Sequence, residues 1–149
     1  ANAPGRFNVM DYRGATIIAD YGHNPDAIRA LVQAVDAMPG NKRSVVISGA
    51  GDRRDQDIIE QTRILGAAFD EVILYQDACQ RGRADGEVLA LLRQGLEGAP
   101  RTRYSTEIHG EFAAIDHALE RLAPGDLCLV LVDQVEEALA HLQQRIASV

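Results

Sequence analysis

Three strand-to-helix junctions in this chain carry side chains suited to holding an anion. The first is Asp20-Tyr21-Gly22-His23-Asn24-Pro25-Asp26, a carboxylate, a phenol and an imidazole closing the apolar run from Thr16 to Ala19. Asn24 is a good N-cap, Pro25 suits the first helical position, and Asp26 complements the positive end of a helix dipole. Asp20 and His23 are therefore expected at the carboxyl end of a strand, beside a helix N-terminus. Open α/β sheets bind ligands there, and anions are well held. The second junction, Gly49-Ala50-Gly51-Asp52-Arg53-Arg54-Asp55, follows the core run Val45-Val46-Ile47. Its glycines let the backbone turn sharply, and the N–H groups beyond them can face an anion. It is not a P-loop, because no Gly-Lys-Ser/Thr follows. The third, Gln76-Asp77-Ala78-Cys79-Gln80-Arg81-Gly82-Arg83, ends in two arginines. Each has a plainer reading: a helix-capping turn, a glycine turn with charges on solvent, and a solvated basic loop.

The elements that must position these junctions follow from periodicity. Ile28, Leu31, Val32, Val35 and Met38 recur at helical spacing, which predicts a helix from Pro25 to about Met38, stopped by Pro39-Gly40. Residues 7–12 and 15–20 read as two strands turned at Arg13-Gly14. Further strands are expected at 43–48, 71–75, 101–105 and 126–132, and helices at 58–69, 87–96, 111–122 and 135–146. In the fourth helix Phe112, Ile115, Leu119 and Leu122 are expected to point inward. Strands alternate with helices from residue 15 onward, so the sheet is mainly parallel and covered on both faces. The fold class is α/β: a Rossmann-like three-layer α/β/α domain with about six strands, the first antiparallel.

The chain has 149 residues, 46% hydrophobic and 25% charged, which fits one domain with its own core. A net charge of -7 argues against a general nucleic-acid or anionic-membrane binder. No apolar run approaches the roughly 20 residues of a membrane helix. Cys79 and Cys128 form no metal or redox spacing and read as free thiols in a reducing compartment, and the four histidines form no zinc signature. Residues 1–5 read as a linker or cloning remnant and 6–149 as the domain. The start at Ala1-Asn2-Ala3-Pro4, without methionine, suggests an excised domain.

Asp20-Tyr21-Gly22-His23-Asn24-Pro25 resembles the Asp-Tyr-Ala-His-x-Pro element in the C-terminal domain of the Mur ligase family. Pro4-Gly5-Arg6 resembles the Pro-Gly-Arg element at the hinge where that domain begins. The 49–55 loop and the Arg81-Gly82-Arg83 ending are most similar to the cyanophycin synthetase branch. The tripeptide-ligase elements Asp-Asn-Pro-Arg and Gly-Lys-Gly-His-Glu are absent, the latter replaced by Val132-Asp133-Gln134-Val135-Glu136.

The resemblance implies a cytoplasmic, ATP-dependent amide ligase. A carboxylate is activated by ATP as an acyl phosphate, and an amine attacks it to release phosphate. This domain would be the lid of such an enzyme, inactive alone, its partner a central ATPase domain of the same polypeptide that supplies the P-loop and most Mg2+ ligands. In the cyanophycin branch the amine is arginine and the acceptor an acidic polymer, poly-aspartate. Arg6 and His23 would then be catalytic; Arg6, Asp20, Tyr21 and His23 would contact ATP; and Asp52, Arg53, Asp55 and Arg81 would face the amino acid or polymer. No metal ligand is expected within this domain. Substitution of Asp20 or His23 to alanine is expected to cost within ~1 kcal/mol of stability unless a cap is lost, since both are polar loop residues outside the core. Two alternatives stand beside this: another Mur-type ligase, muramyl or folylpolyglutamate, and a nucleotide-binding module without catalysis.

Overall fold

A computed structural model describes residues 5–48, 54–76 and 86–148. Strands β1 (Asn8–Tyr12) and β2 (Ala15–Asp20) pair antiparallel. Their turn residues Arg13 and Gly14 both have positive φ, 51° and 84°, as a tight two-residue hairpin requires. Then follow α1 (Pro25–Asp36), β3 (Arg43–Ile47), α2 (Asp55–Gly66), β4 (Glu71–Gln76), α3 (Glu87–Gly95), β5 (Tyr104–His109), α4 (Glu111–Glu120), β6 (Leu127–Leu131) and α5 (Val135–Ala147). The sheet order is β1-β2-β6-β3-β4-β5, with every pairing after the hairpin parallel.

Side-chain alternation along the strands divides the core in two. Ile18, Val45, Ile47, Val72, Leu74, Leu129 and Leu131 face Ile28, Leu31 and Val35 of α1, Ile58 and Leu65 of α2, and Val88 and Leu92 of α3. On the other face Ile17, Ala19, Val46, Ile73, Tyr75, Cys128 and Val130 pack with Ala114, Ile115, Ala118 and Leu119 of α4 and Ala138 and Leu142 of α5. β3, β4 and β6 are buried throughout, which is why each reads around a continuous apolar run. β2 therefore leads into a helix on one face, while its neighbour β6 leads into a helix on the other. Chains diverging in this way open a crevice at the carboxyl ends of those two strands, the usual ligand position in such sheets.

Four expectations need correction. The fifth strand runs 104–109, not 101–105, because the preceding residues are anchored below the sheet. There the Arg101 Nε lies 2.9 Å from Asp70 Oδ1, and the Thr102 hydroxyl donates to the Phe69 carbonyl at 2.8 Å. Pairing with β4 begins only at Glu71 opposite Tyr104. Phe112 does not point inward: it is 38% exposed and stacks on His141 of α5, ring centroids 4.8 Å apart, leaving Ala114, Ile115, Ala118 and Leu119 as the inward set. Helix α1 stops at Asp36, where the Arg43 guanidinium donates to the Val35 and Met38 carbonyls at 2.6 Å each. α2 begins at Asp55, a turn before the first apolar periodic residue, Ile58.

Candidate functional site

The crevice is framed by the segment before β1, the end of β2 and the turn after β6. Asp20, the last residue of β2, binds the first of these to the second. Its Oδ2 accepts the Phe7 N–H and its Oδ1 the Gly22 N–H, both at 2.8 Å. The Tyr21 N–H donates to the Gly5 carbonyl at 2.9 Å, so residues 5–7 are fastened along the strand end. Gly5 has φ +80°, and a Cβ there would lie 2.7 Å from Val135 Cγ1; both facts demand glycine. Between these anchors Arg6 projects outward, its guanidinium carbon 4.6 Å from the Tyr21 ring centroid. Arg6 is exposed and Tyr21 is 37% exposed, so a cation and an aromatic face are presented together at the surface.

His23 lies deeper. Its Nε2 is 2.9 Å from the Val132 carbonyl, an atom that can only accept, so Nε2 carries the proton. The Val132 N–H in turn donates to the Asp20 carbonyl at 2.8 Å, which ties the end of β6 to the end of β2. Gln61, fully buried on α2, donates its amide to the His23 carbonyl. Asn24 caps α1 as expected, its side chain accepting the Ala27 N–H at 2.8 Å. Arg6, Asp20, Tyr21 and His23 are thus gathered at one crevice.

The substrate-facing set divides differently. Asp52, Arg53 and Arg81 lie outside the described residues, as does Cys79. Asp55 is exposed in the first turn of α2, whose N-cap residue Arg54 pairs with Asp57 at 3.1 Å. Between α1 and α2 an open groove of about 460 Å³ is lined by Asn24, Pro25, Asp26, Arg29, Asp57 and Glu60. Arg29 bridges Asp26 at 3.1 Å and Glu60 at 3.0 Å, so much of the groove's acidity is neutralised from within. Among the described residues no group of three or more His, Cys, Asp or Glu side chains could hold a metal ion, and no helix is long and apolar enough to cross a membrane.

One residue of this region escaped the sequence reading. Glu111, at the start of α4, is 3% exposed, and its carboxylate reaches across to the turn after β6. Oε2 accepts the Asp133 N–H at 2.7 Å, and Oε1 accepts the Gln134 N–H at 3.2 Å. The Tyr75 hydroxyl, 3.0 Å from the Leu131 carbonyl, lies 3.3 Å from Oε2. An acidic residue in a first helical turn reads as a dipole complement on solvent. The available signal was its place after β5, which puts it at the same end of the sheet as Asp20.

The family model of the Mur ligase, glutamate ligase domain, matches residues 5–132. A cyanophycin synthetase of Synechocystis sp. is 34% identical over 143 residues, covering 95% of this chain and 16% of that protein. The solved structure of a UDP-N-acetylmuramoyl-L-alanyl-D-glutamate--2,6-diaminopimelate ligase superposes with a TM-score of 0.82 at 22% identity, over 99% of this chain and 32% of that one. A bifunctional folylpolyglutamate synthase/dihydrofolate synthase from Yersinia pestis, complexed with AMPPNP and a Mn ion, superposes with a TM-score of 0.70 at 25% identity, over 96% of this chain and 32% of that one. The chain therefore spans about a sixth of the first relative and a third of the two solved chains.

Proposed function

Because the chain belongs to the Mur ligase family, in its glutamate ligase domain, we propose that it serves as the nucleotide-facing lid of an ATP-dependent acid–amino-acid ligase. The observation that carries this is the exposed Arg6–Tyr21 pair, fastened by Asp20 at the divergence of β2 and β6. When bound, ATP supplies the phosphoryl group that turns a carboxylate into an acyl phosphate. This chain's share is to orient and to screen charge. Arg6 offers a guanidinium to phosphate oxygens, and the Tyr21 ring offers a flat apolar face to adenine. Each Asp20 oxygen accepts one backbone N–H and keeps lone-pair capacity for a ribose hydroxyl. His23, with Nε2 turned to the Val132 carbonyl and Nδ1 buried, would have to turn its ring before the imidazole could meet a phosphate oxygen. With no metal-ligand cluster among the described residues, Mg2+ would be held by the central domain of the same polypeptide.

The finer proposal concerns the amine. The similarity to cyanophycin synthetase and the 49–55 loop support arginine as the incoming amino acid and poly-aspartate as acceptor. Asp52 and Asp55 would meet the guanidinium, since a bidentate carboxylate contact selects arginine over lysine. Arg53 and Arg81 would meet the acidic polymer. A second reading, a muramyl or folylpolyglutamate type of ligase, is favoured by the likeness to the folate-type structure at 25% identity.

The test is ligation by the full-length protein with each amino acid in turn, offered with a poly-aspartate primer, a muramyl peptide or a folate acceptor, followed by ADP release. Arginine-dependent release supports the finer proposal. Release that depends on glutamate or a diamino acid moves the protein to the second reading. No amino-acid-dependent release with any of them overturns the ligase assignment.

A further inference from the structure

Glu111 belongs to no motif of the reading above, yet it is a buried carboxylate facing backbone N–H groups two elements away. We propose that Glu111 is a positioning residue for His23, acting through the turn that follows β6. This rests on His23 being a site residue of the proposed lid.

The linkage is a continuous set of hydrogen bonds. Glu111 Oε2 and Oε1 accept the Asp133 and Gln134 N–H groups at 2.7 and 3.2 Å. The Gln134 side-chain amide adds a longer contact to Oε1 at 3.4 Å. The residue just before, Val132, is held by the Asp20 carbonyl through its N–H and presents its own carbonyl to His23 Nε2 at 2.9 Å. The orientation of one peptide plane, between residues 132 and 133, couples these ends: its carbonyl is the acceptor for His23 and its N–H is the donor to Glu111. A peptide group is planar, so an N–H fixed on one side fixes the carbonyl direction on the other. Releasing the Asp133 N–H frees that plane to rotate, and the imidazole loses its acceptor.

The carboxylate is required for this, not merely a polar group. Glu111 faces two backbone donors with two oxygens. In Glu111→Gln one oxygen becomes an amide that can only donate, and one of the two N–H groups loses its acceptor in a buried setting. The shape of the side chain is unchanged, so the packing of α4 against the sheet is retained. The turn leads directly into Val135, the first residue of α5, whose Cγ1 lies against Gly5, so the loosened turn would also reach the segment bearing Arg6.

The test reads His23 directly in the 149-residue chain by NMR, as the exchange rate of its Nε2 proton, at a pH about two units above the ordinary histidine value of ~6.5. Glu111→Gln should raise that rate about five-fold or more, the factor equivalent to one ordinary hydrogen bond of ~1 kcal/mol. The matched control is Glu71→Gln. Glu71 is a carboxylate 1% exposed at the opposite end of the sheet, paired with Lys42 at 3.1 Å and Arg121 at 2.5 Å. It should leave the His23 proton unchanged. An unmoved His23 in Glu111→Gln overturns the proposal, and so does an equal response in both variants, since that would report general loosening. Should Glu111→Gln fail to fold, Tyr75→Phe takes a hydroxyl from Glu111 and Leu131 while keeping the ring in the core. It must then move His23 in the same sense, and an unmoved proton overturns the proposal. A His23 that follows Glu111 in an enzyme whose ligation survives His23→Ala would sink the site assignment of His23 while leaving this linkage standing.

Discussion

Removing the Asp20 carboxylate should cost far more stability than a loop residue normally does. Two backbone N–H groups, from Phe7 and Gly22, each lie 2.8 Å from a separate oxygen of this side chain. Hydrogen bonds to a charged acceptor contribute about 1.5–3 kcal/mol each. Asp20 is partly exposed, so water can replace some of that contribution, and the low end of the range applies. Asp20→Ala should therefore lose ~3 kcal/mol, and Asp20→Asn, which keeps one acceptor oxygen, about half. In a domain of this size ~1 kcal/mol moves the melting temperature by about 2–4 °C, so the alanine variant should melt about 6–12 °C lower. The assay is thermal and urea unfolding of the 149-residue chain, with amide exchange at Phe7 and Gly22 as the local reading. Both amides should exchange faster in the alanine variant before global unfolding begins. A melting temperature within about 2 °C of the parent would refute the tethering role. The ~1 kcal/mol expected of a simple capping turn would then be the right figure.

In the full-length protein, assayed for the proposed ligation, Arg6→Ala should raise the KM for ATP about ten-fold or more with a fall in kcat, whereas Tyr21→Leu should raise KM alone; constants unchanged from the parent in both variants would remove the pair from the nucleotide site. Burial pushes the Asp70 carboxyl up, but the hydrogen bonds of Arg101 and of the Arg43 N–H, with the charge of both arginines, outweigh it and hold it below its ordinary value. A depressed carboxylate stabilises the fold fully above its unfolded value of ~3.9 and loses that contribution as pH falls below it. Asp70→Asn should thus flatten the acid side of the stability curve, as read by urea midpoints between about pH 5 and 2.5. Burial pushes the Cys128 thiol up to about 11, so native Cys128 should resist alkylation at pH 8 and react only as the chain unfolds. Peptide mapping separates its label from that of Cys79, and rapid native labelling of Cys128 would contradict its burial.

How much was legible in advance follows from how local each signal is. β3, β4 and β6 announce themselves because a strand buried on both faces carries an apolar run through its middle. The hairpin was readable at Arg13-Gly14 and the start of α1 at Asn24-Pro25, since turn and cap chemistry act within a few residues. β5 was misplaced because an edge strand buries little and its register is set by β4, a distant partner. Phe112 was misassigned because its partner, His141, belongs to another helix. The same division holds at the site. Asp20, Tyr21 and His23 share one short motif, whereas Glu111 reaches the site only through β6, 22 residues further on at Asp133.

The carboxylates also change the reading of how an anion would be held here. A helix N-terminus after a strand suggests phosphate on free backbone N–H groups. In this domain several backbone N–H groups at the crevice already have acceptors of the protein's own. The Gly22 N–H goes to Asp20, the Ala27 N–H to Asn24, and the Asp133 and Gln134 N–H groups to Glu111. A phosphate entering the crevice would have to displace a side-chain oxygen to reach these four, and at three of them would meet a carboxylate's charge on the way. A side chain could then add to the charge complement, and at the described mouth of the crevice Arg6 is exposed over Tyr21. On the proposed function Asp20 would act on phosphate twice, and in opposite senses. It withholds the Gly22 N–H from the ligand, and through the Phe7 N–H it holds in place the segment that carries the arginine.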